Sequence, residues 1–186
     1  MESENGKREQ GAVASAVDFL VTLAIVAVVA FVLRTFVIEP FNIPSGSMET
    51  TIMTGDLVFS EKISVRNGVE AGQIVTFDDP QGSSKTLIKR VIATGGQTVD
   101  LVDGSVSVDG VVLDEPYATG YSVPLKTVDG VQISYPYTVP EGCVWVMGDN
   151  REHSLDSRYF GPISEQSVSA RALFVYWPLE DAGVLH

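Results

Sequence analysis

The sequence predicts a mainly β domain of antiparallel sheets, carried behind one N-terminal membrane-spanning helix. Two observations carry this: an almost unbroken apolar stretch from about Ala12 to Leu33, and beyond it short apolar runs with a period near two, separated by turn pairs. A third bounds it. The chain has 186 residues, 45% hydrophobic and 19% charged, enough for one folded domain and a short extra segment.

The apolar stretch is interrupted only by Ser15, Asp18 and Thr22 and stops at Arg34. A helix needs about 20 residues at ~1.5 Å each to cross a bilayer core, and this stretch has that length. A buried soluble helix would show a polar stripe at helical period, whereas Phe19 to Leu33 is apolar on every side apart from Thr22. A cleaved secretory signal would show small residues after its apolar run. Arg34, Thr35, Phe36, Val37 and Ile38 are mostly large, which favours an uncleaved anchor. Lys7 and Arg8 before the span outnumber Arg34 after it, so the N-terminus is expected in the cytoplasm. The expected division is a cytoplasmic tail over 1–11, a transmembrane anchor over 12–34 and an extracytoplasmic domain over 35–186, in a single-pass protein of the cell membrane.

Within that outer domain Asp103–Gly104, Asp109–Gly110 and Asp129–Gly130 are hairpin signals. Ser105 to Leu113 folds around the second pair, and Val131 to Val139 followed by Val144 to Met147 reads as further antiparallel strands. Asp114 to Thr127 is the longest expected loop.

Carboxylates outnumber Lys plus Arg by 24 to 12, for a net charge of −12, and the surplus persists beyond the apolar segment. Such a surface repels phosphate backbones, so no nucleic-acid partner is expected. Cys143 is the only cysteine, which excludes an intrachain disulfide, and two histidines offer no metal-site spacing. Neither a metal nor another cofactor is expected. Cys143 precedes the strand-like run Val144, Trp145, Val146, Met147, which favours packing over a role as nucleophile. Trp145 and Trp177 are expected in the core, with seating on lipid the other reading of Trp177.

Three segments hold candidate chemistry. Pro44, Ser45, Gly46, Ser47 and Met48 follow the membrane exit closely; alone, two serines around a glycine are an ordinary turn. Lys89 lies inside the apolar run Leu87 to Ile92. If it faces water at a strand edge it is only a solvated cation. If it points inward, burial lowers its pKa from ~10.4 and turns it into a usable base. The third segment, GDNREHSLDSRYFG over Gly148 to Gly161, is far richer in donors and acceptors than a turn requires, as an ordered polar network would be. It contains His153, so a triad of Ser47, His153 and Asp149 or Asp156 is also weighed. No Gly-x-Ser-x-Gly elbow and no Ser-x-x-Lys sequence occurs.

FNIPSGSM, GDLVFSEK, IKRVIATGG and GDNREHSLDSRYFG, in this order behind an N-terminal span, resemble the type I signal peptidases of bacteria. The resemblance covers nearly the whole chain and implies the antiparallel β fold of that family. By position it implies Ser47 as nucleophile and Lys89 as general base. Ser45 matches the serine whose hydroxyl joins the Ser47 backbone N–H in the oxyanion hole. Ser154 matches the residue that orients the lysine amine, and Asp156 and Arg158 match a supporting ion pair. Phe41, Ile43, Leu87 and Ile88 match residues lining two shallow substrate pockets. The implied partners are the lipid bilayer and signal-peptide-bearing precursors, cut after small residues in the Ala-x-Ala manner.

Thr50 departs from the family, which very often has proline there, and the stretch between Arg90 and Gly148 is short, as in compact single-span members. His153 falls at a variable position. Two other functions are weighed. A self-cleaving Ser/Lys protease of the SOS-repressor type would need a DNA-binding segment where this chain has its apolar stretch. A tethered β domain that only binds peptides would leave Lys89 exposed and protonated.

Overall fold

The computed structural model describes residues 2–186, with the side chains of 2–14 and of residue 16 left out. The chain forms two compact units, one up to Ile38 and the other Glu39–His186.

The first unit is a helix, α1 (Glu2–Phe36), 35 residues long. Val17–Phe36 is long and apolar enough to cross a membrane, with mean hydropathy 2.5 and no residue buried against protein. The helical backbone runs back through the expected tail to Glu2. No proline interrupts that tail, and its Glu, Lys, Arg and Gln residues are good helix formers. Met1, also part of that tail, lies outside the described residues.

The second unit is built on two sheets, and its paired strands run antiparallel. The larger contains β1 (Ile38–Asn42), β2 (Leu57–Glu61), β3 (Ile74–Asp78), β4 (Thr86–Thr94), β9 (Cys143–Met147), β10 (Ile163–Ser164), β11 (Val168–Trp177) and β12 (Gly183–Val184). Its order is β1-β2-β11-β3-β4-β9-β10, with β12 paired to β11. The smaller contains β5 (Thr98–Val102), β6 (Ser105–Val108), β7 (Val111–Val112) and β8 (Tyr137–Thr138), in the order β7-β6-β5-β8. A single helical turn, α2 (Ser157–Phe160), closes the polar segment from within.

Two of the three turn pairs close hairpins as expected. Asp103 and Asp109 have φ of 51° and 52°, and the glycines after them 83° and 80°, which is the twist a two-residue hairpin turn demands. Asp129–Gly130 joins no strands, and of Val131 to Val139 only Tyr137–Thr138 is paired. Pro136 offers no N–H to a ladder, so the pairing cannot extend back through it. The irregular segment therefore runs from residue 113 to 136, longer than the expected loop.

Apolar residues gather into three clusters. One lies around Val75, Phe77, Val91 and Val146. A second, with Ile43, Met48, Ile52, Val58 and Ile88, sits under the turn that bears Ser47. The third surrounds Trp145, which has 0% exposure, and half-buried Cys143 packs against it. Trp177 is a correction to the expected core: it is 55% exposed, as the last residue of β11, before Pro178.

Candidate active site

Gly46–Met48 forms one turn of 3-10 helix, anchored by Met48, whose side chain is fully buried. With its base in the core, the turn presents Ser47 to the larger sheet. β4 supplies the opposite wall. Lys89 lies within that strand at 3% exposure and donates from Nζ to Ser47 Oγ over 2.6 Å and to the Ile88 carbonyl over 2.8 Å. Burial lowers its pKa from 10.5 to about 8, against the smaller opposing pull of Asp156 and Asp149. No carboxylate lies within ion-pair distance of Lys89 among the described residues. A neutral amine therefore comes within reach near neutral pH.

Arg90, the next residue, is 1% exposed and is held by Asp149 through bonds of 2.9 and 2.7 Å. Thr51, four residues past the serine, donates to the same carboxylate over 2.6 Å. Asn150 clamps the serine turn twice, its N–H donating to the Ser47 carbonyl and its Nδ2 to that of Gly46, each over 3.1 Å. Gly148 must be glycine for space: a Cβ there would overlap both Ser154 Oγ and the Ser47 carbonyl oxygen.

The other expected site residues fall as follows. Asp156 and Arg158 form an ion pair at 2.9 Å with both side chains at 0% exposure, and Asp156 also accepts from the Gly148 N–H over 3.0 Å. The Ser154 hydroxyl is buried but has no hydrogen-bond partner, so the expected bond to the lysine amine is not made. That amine is directed instead at Ser47 and the Ile88 carbonyl. Ser45 is exposed and precedes the turn in extended conformation, its side chain making no capping bond. Phe41, Leu87 and Ile88 line a cleft of about 450 Å³ with Pro44, Ser45 and Lys89. Ile43 is not on its wall, since its side chain is 1% exposed and packs in the core beneath. His153 is exposed and bonds to Asn150 Oδ1 at 3.1 Å, so Ser47 has a lysine and not an imidazole beside it.

Sequence reasoning missed two partnerships, Arg90 with Asp149 and Arg151 with Glu115. A signal for the first existed. An arginine inside an apolar strand has to find a carboxylate, because an unpaired buried guanidinium is strongly destabilising.

A hydroxyl bonded to a desolvated amine that lines a cleft is the chemistry of a serine hydrolase whose base is a lysine. The family described as signal peptidase, peptidase S26, matches residues 16–177. A probable signal peptidase I-1 from Synechocystis sp. is 37% identical over 171 residues, covering 88% of this chain and 83% of that protein. Signal peptidase IB of Staphylococcus aureus is 29% identical, covering 88% and 91%. A probable chloroplastic thylakoidal processing peptidase 2 from Arabidopsis thaliana is 35% identical over 81% of this chain and 41% of its own length. The chain belongs to the signal peptidase family, and is a serine peptidase.

Proposed function

We propose that this protein removes N-terminal signal peptides from exported precursors after small residues, with Ser47 as nucleophile and Lys89 as general base. The observation that carries the reading is the 2.6 Å bond between a 3% exposed lysine and the serine hydroxyl. A peptide-binding domain without catalysis would need that lysine in water.

β4 pairs with β3 along residues 86–90, whereas its pairing with β9 begins only at Arg90. Residues 86–89 thus keep an open edge beside the cleft, against which an extended peptide can lie as an added strand. Phe41, Leu87 and Ile88 narrow the space there, which favours small side chains before the cut.

In the reaction the Lys89 amine takes the Ser47 proton as Oγ attacks the scissile carbonyl. The Ser47 N–H and the Ser45 hydroxyl receive the oxyanion. The lysine proton then passes to the departing amine, leaving an acyl-enzyme. Water, deprotonated by the same amine, hydrolyses it. Asp156 with Arg158 braces the loop without moving a proton.

Val17–Phe36 anchors the protein as a single pass. Lys7 and Arg8 hold residues 1–11 in the cytoplasm, and the residues after the 12–34 anchor lie outside.

The experiment is cleavage of a fluorogenic peptide containing Ala-x-Ala by the full chain in detergent micelles. Wild type cuts after the second alanine, while Ser47→Ala and Lys89→Ala do not. Equal processing by wild type and Ser47→Ala would falsify the assignment. Cleavage of the chain by itself, with the added peptide intact, would point to the self-processing reading.

A further inference from the structure

Segment 113–136 has almost no paired backbone, yet its first part is fastened to the framework around Ser47 and Lys89. Arg151, 2% exposed, donates to Glu115 over 2.7 and 2.8 Å and to the Gly148 carbonyl over 2.9 Å. The Glu115 side chain is itself 8% exposed, and Tyr117 donates its hydroxyl to Glu115 Oε1 over 3.0 Å. The Tyr117 ring lies 3.8 Å from the guanidinium carbon of Arg90. Backbone bonds close the arrangement: the Thr119 N–H donates to the Asp149 carbonyl and the Arg151 N–H to the Thr119 carbonyl, both over 2.9 Å.

Two routes therefore leave the Glu115 carboxylate. One passes through Arg151 to residues 148–150, where Asn150 bonds the Ser47 and Gly46 carbonyls. The other passes through Tyr117 to Arg90, the residue next to Lys89. One ends on the backbone of the turn that bears Ser47, the other on the strand neighbour of Lys89.

We infer that Glu115 is a positioning residue for the reaction, holding the Asn150 loop against Ser47 and the Arg90 end of β4 in register so that Lys89 stays aimed at the serine. The inference rests on the reaction assigned above to Ser47 and Lys89. Its physical basis is that Arg151 and Tyr117 share one buried carboxylate. Removing that charge leaves a guanidinium uncompensated beneath the loop, and the loop has to move to rehydrate it. A displacement of about 1 Å at the reacting atoms can cost roughly 100-fold in rate.

The test uses the full chain in micelles and the Ala-x-Ala peptide, with kcat, KM and melting temperature measured together. Glu115→Gln is expected to lower kcat roughly 10- to 100-fold while KM changes less than about two-fold, because the cleft is built from other elements. Glu115→Asp, which keeps the charge, recovers part of that loss. Tyr117→Phe keeps the ring over Arg90 and loses only the bond to Glu115, so kcat falls about three-fold while the melting temperature drops by only a few degrees. Combining Glu115→Gln with Tyr117→Phe slows the enzyme no further than Glu115→Gln alone, since both cut connections to one carboxylate. An unchanged kcat in folded Glu115→Gln, or effects that simply add in the double variant, overturns the inference. Should Glu115→Gln not fold, Tyr117→Phe decides, and an unchanged kcat there overturns it. An inactive wild type overturns the reaction assignment and this inference with it; active wild type with unaffected variants overturns this inference alone.

Discussion

Lys89 and Arg90 are neighbours on β4, and a carboxylate holds only one of them. Strand alternation sends consecutive side chains to opposite faces. Arg90 meets Asp149 in a two-bonded ion pair, while Lys89 meets the Ser47 hydroxyl and the Ile88 carbonyl. Asp149 and Asp156 act on the lysine from beyond ion-pair distance, and burial outweighs them. Reversing the two residues would leave a guanidinium beside Ser47, which cannot serve as a base at neutral pH.

The first prediction concerns pH. The Lys89 pKa of about 8 makes kcat/KM rise through an apparent pKa near that value from the acid side. The same shift affects stability. Between about 8 and 10.5 the unfolded chain binds more protons than the folded one, so stability rises with pH across that window. Below about 8 the folded state bears the full cost of the lowered pKa, on the order of 3 kcal/mol. Lys89→Met is expected to be inactive yet to melt no lower than wild type at pH 7, with its relative stability declining toward pH 10.5. A flat activity profile from pH 6 to 9 would contradict the lysine's role.

Ser45→Ala removes one proposed oxyanion donor and leaves the Ser47–Lys89 bond in place. Its kcat should fall by roughly 100- to 1,000-fold with little change in KM. Steady-state kinetics on the Ala-x-Ala peptide check this, and Ser45→Thr, which keeps a hydroxyl, should recover part of the loss.

At Gly148 the constraint is steric. Gly148→Ala would drive a methyl group into Ser154 Oγ and the Ser47 carbonyl, forcing the Asn150 loop off the serine turn. Activity is expected to drop at least ten-fold. Adding Ser154→Gly relieves one of the two overlaps and should restore only part of it, because the carbonyl belongs to the backbone. Full recovery in that double variant would assign the whole constraint to Ser154.

Arg158→Met strands the Asp156 carboxylate at 0% exposure without its partner. The expected loss is roughly 3–5 kcal/mol of unfolding free energy, measured by urea denaturation of the solubilised chain. At temperatures where the variant remains folded, the acid limb of its pH profile should still report a lysine.

Much of this arrangement was legible in the linear chain because the signals are local. The span is a run of apolar residues, two hairpins are announced by Asp–Gly pairs, and FNIPSGSM and IKRVIATGG mark Ser47 and Lys89 by their neighbours. The polar segment after Met147 likewise advertised a network by its density of donors and acceptors. The partners within that network were not legible. Glu115 with Arg151 and Arg90 with Asp149 are 36 and 59 residues apart, and no local pattern pairs one acid among 24 with one arginine.

The sequence by itself therefore determined the apolar stretch, two of the hairpins and which serine and lysine to propose for the site, since each follows from composition, period or a short motif. Only the tertiary structure decided that Lys89 is dry, that Ile43 packs in the core below the cleft while Leu87 lines it, and that Trp177 lies at the surface. The reason is physical: a side chain's solvation is set by what the rest of the chain brings against it. A strand's alternation says that two neighbours face opposite ways, but not which face becomes the interior.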